Sequence, residues 1–333
     1  MIAGLARMAP VLRLTRVSTA FAAVADVWFV ILWTRANEPE HAGAPGLVDA
    51  PLWMLLLAGA FSATGLYAFG AAINDVTDSS RDRALHRDRP IAEGRISPVA
   101  GATVGSFSLI VAVLGAAVFG RTAVVLTCVV ALAVLAFNAL GKFVPAIGLV
   151  LLSLIYAGHM LVPNLSLRFL WPVWVVMTHA MAVSGVVYVV GRKAPPLTPR
   201  ALLTAIAGWA FWSAALLWLG THRAGPAQAG IHSRLWPSWV GPGGALLVVL
   251  IAALFIALAV RRVRNLGFGP RTAEKINRYG ALWLPLYACG WLLGEGLFRE
   301  GLIMAALALS GLLGMSMLRE IYAAVEHPIG YRR

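Results

Sequence analysis

Between positions 74 and 82 the chain reads Asn74-Asp75-Val76-Thr77-Asp78-Ser79-Ser80-Arg81-Asp82, three carboxylates and an amide directly after a long apolar run. In a helix, at ~100° per residue, spacings of three and four bring Asp75, Asp78 and Asp82 within about 60° of one another on one face. Such a face calls for a cation. Mg²⁺ is the hard ion that prefers carboxylate, water and phosphate oxygens, so Asp75, Asp78 and Asp82 are the candidate metal ligands and candidate catalytic residues, with Asn74 beside them. Nearby Arg81, Arg83, Arg87, Arg89 and Arg95 offer bidentate, permanently charged contacts to phosphate oxygens. Metal and arginines together would stabilise a departing diphosphate, whose negative charge grows as an allylic carbon–oxygen bond ionises. The plain alternative is a solvated loop in which these bases pair with the acids, Asp88 included.

Composition says what kind of element carries the cluster. The chain has 333 residues, 60% of them hydrophobic and 12% charged, with a mean hydropathy of +0.80. These values depart from soluble averages toward an all-α, polytopic membrane bundle. Ten apolar segments are long enough, or nearly so, to span a ~30 Å hydrocarbon core: 12–34, 52–73, 98–119, 122–141, 144–163, 170–190, 201–220, 241–260, 280–298 and 301–318. Lys and Arg accumulate on the cytoplasmic side of such proteins. With the N-terminus inside, 21 of the 27 basic residues fall inside and six, Arg35, Arg121, Arg168, Arg223, Arg234 and Arg299, fall outside. That split predicts an even number of spans and makes 74–97 a cytoplasmic loop. The last pair is the weakest, because 280–298 and 301–318 are joined by very little and Glu295 sits inside the first. One span plus a re-entrant piece is the alternative, with 299–333 then a possible extra span and a C-terminal tail.

The net charge of +13 needs no nucleic acid, since basic residues on one side of a membrane protein reflect topology and contact with anionic headgroups. A single transmembrane domain is expected over 1–333. The first apolar segment has no small-residue cleavage pattern after it and is expected to stay as a span. Cys128 and Cys289 fall inside expected spans and imply no disulfide framework and no thiolate metal site. In the outside loop 221–240, Trp236 and Trp239 read as interfacial anchors, while His222 and His232 are too loosely placed to suggest a metal.

The stretch from Asn74 to Asp82 resembles the first aspartate-rich motif, NDxxDxxxD, of the UbiA family of intramembrane prenyltransferases, and like that motif it follows the second span. Leu12-Arg13-Leu14-Thr15-Arg16, with Thr19-Ala20 and Ala25-Asp26-Val27, is similar to the family's opening helix. Arg89-Pro90-Ile91-Ala92-Glu93-Gly94-Arg95-Ile96-Ser97 resembles its RPxxxGxxS segment, and Phe137-Asn138 with Lys142 resembles its YNxxLK element. The resemblance is close to collinear over 11–200 and vague beyond, and within the family it is nearest the Ebo-cluster type. The DGxxAR pattern of the CDP-alcohol phosphotransferases is absent. The resemblance implies nine or ten transmembrane helices around a central cavity, open toward the cytoplasm and sideways to lipid. It also implies Mg²⁺-dependent transfer of a prenyl group from a prenyl diphosphate to a lipophilic or aromatic acceptor, at a bacterial inner membrane. Asp75, Asp78 and Asp82 would hold Mg²⁺, and Asn74, Arg89, Asn138, Lys142, Arg192 and Lys193 would bind the substrate.

One departure qualifies that expectation. The family's enzymes usually carry a second aspartate motif after the sixth span, and the two motifs together hold two magnesium ions. Here Asp88 is the last of six aspartates, and after Tyr188 the chain reads Gly191-Arg192-Lys193-Ala194-Pro195-Pro196. Arg192 and Lys193 would neutralise diphosphate oxygens directly and leave one Mg²⁺, or they are ordinary positive-inside residues at a helix end. A harsher alternative is a non-catalytic lipid-phosphate binder or carrier. Tyr156 and His159 stand where the Ebo-type branch carries arginine and asparagine, and His159 reads as a structural histidine. Asp26 is costly within a span unless it faces the bundle interior, and it too reads as structural.

Overall fold

A polytopic chain must satisfy its backbone within each segment, so its architecture is a list of helices and of what stops them. The computed structural model describes residues 2–85, 89–223 and 234–326; Arg87, Asp88, His232 and the end of the C-terminal tail lie outside them. Helix α1 spans Ile2–Leu14, α2 Phe21–Ala36, α3 Pro45–Asp49, α4 Leu52–Thr77, α5 Ser79–Leu85, α6 Pro98–Ala117 and α7 Arg121–Ala139. They are followed by α8 Pro145–Met160, α9 Trp171–Val190, α10 Pro199–Arg223, α11 Gly243–Leu266, α12 Pro270–Gly294 and α13 Phe298–Glu326. The protein is an all-α membrane bundle. Among the described residues eight helical stretches are long and apolar enough to cross a membrane. Of the ten expected segments, the two outside that set are α8, at 16 residues, and α12, whose first turns, Pro270 to Arg278, are polar.

Three expected boundaries change. The first span does not run unbroken from 12: Arg16 adopts a left-handed conformation (φ 48°), and a 3₁₀ turn over Val17–Thr19 separates α1 from α2. The local sequence Thr15-Arg16-Val17-Ser18-Thr19 favours a break, because β-branched and hydroxyl side chains are poor helix formers and Thr15 bonds back to the Val11 carbonyl at 2.9 Å. The second span continues four residues past its expected end, to Thr77, so the loop expected over 74–97 begins as helix and holds α5 as well. The last pair is two full helices, of 25 and 29 residues, turning at Gly296 (φ +76°).

The most extensive helix contact in the bundle is between α4 and α6, which run antiparallel. Small residues on α6, Gly101, Gly105, Ser108, Ala112 and Gly115, recur every three or four positions and form one stripe against α4. Ideal Cβ atoms placed on Gly115 and Gly65 would each lie 2.6 Å from backbone of the facing helix. Together they hold the helix that carries Asp75.

At the opposite end of the bundle from Asp75, aromatic rings close the core. Phe169 stacks on Trp33 at 5.4 Å and meets Trp236 and Trp291 edge-on at 5.2 and 5.4 Å. Trp236 and Trp239, expected as interfacial anchors, are half-buried here and pack on Phe169 and, for Trp239, on Trp33. Beside them, buried Glu40 accepts the backbone N–H groups of Arg168 and Phe169 at 2.8 and 2.9 Å. Burial pushes its carboxyl up from the ordinary range, opposed by those hydrogen bonds. Glu40→Ala leaves one buried and one part-buried donor without an acceptor, so a stability loss of about 2 kcal/mol is expected, read as a lower melting temperature in detergent.

Candidate functional site

The site forms where α4 ends. Asp75 lies in its last turn and is 3% exposed. The helix stops at Asp78 (φ −90°, ψ 0°) and restarts as α5, with the Asp82 N–H bonded to the Asp78 carbonyl at 2.8 Å. That interruption separates the three carboxylates. Arg89 Nη1 donates to Asp75 Oδ1 at 3.2 Å and to Asp82 Oδ2 at 2.7 Å, while Arg16 Nη2 reaches the same Asp75 oxygen at 3.3 Å. Asp78 faces elsewhere and accepts from Lys142 Nζ at 2.6 Å; that ammonium also donates to the Thr77 hydroxyl at 3.1 Å. The expectation of three carboxylates on one helical face is thus corrected to two that share an arginine and one that pairs with a lysine.

Helix α7 runs parallel to α4, because contacts advance in step from Gly70–Val134 to Asp78–Lys142. One turn past Gly70 and Val134 come Asn74 and Asn138. Asn138 is buried, donates Nδ2 to the Val134 carbonyl at 2.9 Å, and keeps Oδ1 without a partner. Among the described residues the Asn74 side chain makes one long contact, 3.5 Å, to Asp75.

The far wall comes from the end of α9. Arg81 Nη2 donates to the Ala194 carbonyl at 3.0 Å, tying the aspartate segment to the Arg192–Lys193 turn. Lys193 keeps an exposed flank, yet desolvation first, then the cations of Arg16, Arg89 and Arg81, push its ammonium below the usual lysine range. Arg16 and Arg89 thus hold the two buried carboxylates, with Arg81 and Lys193 within electrostatic reach of that pair of arginines. Arg192 takes a left-handed conformation (φ 50°), and no contact of its side chain with this cluster is seen among the described residues. Arg16, placed by sequence only among the basic residues and the opening helix, is part of the site because the break at Arg16–Thr19 turns it toward Asp75.

Among the described residues no three His, Cys, Asp or Glu side chains are gathered in the manner of a metal cage. The donor set still fits a small hard cation at Asp75 and Asp82. These two carboxylates already flank one cationic nitrogen, and Mg²⁺ commonly takes one or two carboxylates plus substrate phosphates. Asp78 joins them only by leaving Lys142.

On the membrane side of this charged rim lies a cavity of about 70 Å³ whose lining includes Thr19, Tyr67, Tyr156, His179, Ser184 and Asn277. The 3₁₀ turn connects the two regions, since Arg16 reaches Asp75 and, three residues on, Thr19 meets the Tyr67 hydroxyl at 2.7 Å. Asp26 borders a smaller neighbouring void and is fully enclosed, with Oδ2 lacking a partner; His159 Nε2 lacks one as well.

No protein-family model matches the sequence, and no curated protein matches it. Among solved structures, a UbiA homolog from Archaeoglobus fulgidus bound to GPP and Mg²⁺ is 17% identical, with a TM-score of 0.42 over 92% of this chain and 99% of that one. A digeranylgeranylglyceryl phosphate synthase is 16% identical and superposes with a TM-score of 0.52 over 87% of this chain and 98% of that one. The bundle has the UbiA-type fold. In this UbiA-type bundle α4 and α9 end side by side, which brings residues 74–82 against 192–194 although more than a hundred positions separate them.

Proposed function

We propose that the chain is an integral membrane prenyltransferase that moves a prenyl group from a prenyl diphosphate to a lipophilic or aromatic acceptor, with its site at the cytoplasmic face of a bacterial inner membrane. The observation that carries this reading is the pair of buried carboxylates, Asp75 and Asp82, bridged by Arg89 and met by Arg16, with Arg81 tied to the Arg192–Lys193 turn beside them. Two carboxylates suit one Mg²⁺, and the surrounding cations suit the remaining diphosphate oxygens. Asp75 and Asp82 would hold the ion, which supplies charge neutralisation at the leaving group. Arg89, released from the carboxylates, would turn to the phosphate oxygens with Arg16, Arg81 and Lys193. Lys142 and Asn138 would complete the rim beside Asn74. The allylic carbon–oxygen bond breaks with both electrons leaving on the diphosphate. An electron pair of the acceptor forms the new bond, and the acceptor's proton passes to the released diphosphate. The apolar walls exclude water from the cationic carbon.

A non-catalytic lipid-phosphate binder or carrier is the second reading, favoured by the absence of any aspartate beyond Asp88 and by the engagement of Asp78 with Lys142. Purified protein incubated with labelled prenyl diphosphates and a membrane extract, with and without Mg²⁺, separates the two readings. Mg²⁺-dependent diphosphate release supports the enzyme. Binding without release, while a control enzyme turns over, establishes the carrier.

Lys193 gives a pH test. Its ammonium is held below the ordinary lysine value, so its charge disappears earlier as pH rises and diphosphate affinity is expected to fall on the alkaline side. A bound anion favours the charged form, so binding takes up protons. Lys193→Arg, charged at every accessible pH, is expected to flatten that alkaline fall, measured by titration calorimetry in buffers of different ionisation enthalpy.

A further inference from the structure

We infer that the 70 Å³ cavity takes an uncharged, hydroxyl-bearing acceptor head, an alcohol or a phenol, and discriminates against carboxylate- or phosphate-bearing acceptors. The inference rests on the prenyl-transfer reading and adds the substrate class. Its basis is the lining, in which four hydroxyls (Thr19, Tyr67, Tyr156 and Ser184), one amide and one imidazole are set among Ala, Gly, Val and Leu side chains, with no Asp, Glu, Lys or Arg.

The imidazole is held by two partners. His179 lies 3.0 Å from the Gly280 carbonyl through Nε2 and 3.2 Å from the Tyr287 hydroxyl through Nδ1. A carbonyl only accepts, so Nε2 carries a proton, and in the neutral ring Nδ1 accepts from Tyr287. Both nitrogens are thereby occupied, and a positive charge on so deeply buried an imidazole is disfavoured. Thr19 and Tyr67 are paired with each other at 2.7 Å. Tyr156, Ser184 and Asn277 border the cavity and have no hydrogen-bond partner among the described residues. Asn277 is exposed while Tyr156 and Ser184 are half-buried, and of these two hydroxyls the more acidic phenol is the stronger donor, which makes Tyr156 the group assigned to a ligand hydroxyl.

Charge outside the lining leads the same way. Arg16, on the rim three residues before Thr19, is held on Asp75, and the adjoining void is bordered by an acid, Asp26. A carboxylate placed among these groups would exchange water for hydroxyls and an amide, with no Lys or Arg in the lining to neutralise it, and an unpaired charge taken out of water is disfavoured. A neutral hydroxyl exchanges hydrogen bonds with Tyr156 and loses little. Its position, directly inward of Arg16 and Asp75, sets the acceptor oxygen or ring carbon on the lipid side of the departing diphosphate.

The test uses two probes that differ by one carboxylate, dodecylphenol and dodecylsalicylate, added to the full-length protein in nanodiscs with geranyl diphosphate and Mg²⁺. Geranyl diphosphate binding is titrated separately. Dodecylphenol is expected to bind together with geranyl diphosphate and at least tenfold more tightly than dodecylsalicylate. Tyr156→Phe is expected to weaken dodecylphenol by about tenfold, the equivalent of one hydrogen bond, with geranyl diphosphate affinity unchanged. Equal or tighter binding of dodecylsalicylate overturns the inference. So does competition between dodecylphenol and geranyl diphosphate, which would give the cavity to the donor's tail, and so does indifference to Tyr156→Phe. Failure of geranyl diphosphate to bind at all appears in its own titration and overturns the prenyl-donor reading beneath it.

Discussion

Asparagine in place of Asp75 is expected to lower Mg²⁺-dependent diphosphate release by about 10²–10³-fold while leaving the bundle folded. The substitution preserves size and shape, so packing at the end of α4 is undisturbed. What changes is charge. Asp75 is the acceptor shared by Arg16 and Arg89, at 3.3 and 3.2 Å, and it is almost completely enclosed. An amide there cannot neutralise two guanidinium groups, and Arg89 is left with Asp82 alone. The metal loses one of its two carboxylates, and the arginines lose the anchor that aims them at phosphate. Asp78→Asn is expected to be milder, about tenfold, because Asp78 meets Lys142 at the side of the site, away from the Arg89 bridge. Single-turnover rates in nanodiscs, with melting temperature as the control for folding, measure both. Equal effects of the two variants would count against an Asp75–Asp82 metal pair, and full activity of Asp75→Asn would remove the metal reading altogether.

The contrast between Asp75 and Asp78 also marks how far the residue pattern alone reaches. The apolar segments were legible because lipid demands runs of a certain length, and each expected segment from 52 to 260 overlaps a helix. The cluster was legible because carboxylates at a helix end are rare without a reason. Its internal pairing was not legible, since that depends on one backbone interruption at Asp78, where a change of dihedrals sends neighbouring side chains in different directions. Arg16 was hidden for the same reason. Spacing along a continuous first helix gives no account of a residue turned inward by a left-handed break. Arg192 and Lys193 looked equivalent in sequence, yet Lys193 lies within electrostatic reach of Arg16, Arg89 and Arg81, while Arg192 takes a left-handed backbone conformation and no contact of its side chain with that cluster is seen among the described residues. Long-range partners such as Arg81 and Ala194 have no local signature at all.

Valine in place of Gly65 is expected to abolish activity through α4 without touching any charged group. An ideal Cβ on Gly65 would sit 2.6 Å from the Ser108 carbonyl and 2.7 Å from the Ala112 nitrogen, and both are backbone atoms that cannot rotate away. The helices must part, losing the close van der Waals contact on which helix association in lipid depends. Overpacking of this kind costs about 1–3 kcal/mol where side chains can adjust, and more is expected here because the obstruction is backbone. Ten residues further along the same rigid helix lies Asp75, so a displacement of about 1 Å at Gly65 is carried to the carboxylate and to its contacts with Arg16 and Arg89. Misplacement on that scale lowers turnover by about 10²-fold even where the protein remains folded. Gly185→Ala is the matched control, since a Cβ on Gly185 of α9 meets nothing within 4 Å. The expected pattern is a lower melting temperature for Gly65→Val, with activity per folded molecule reduced further than folding accounts for, and neither change in Gly185→Ala. A Gly65→Val protein that melts normally and turns over normally would mean that the α4–α6 contact does not position the aspartates.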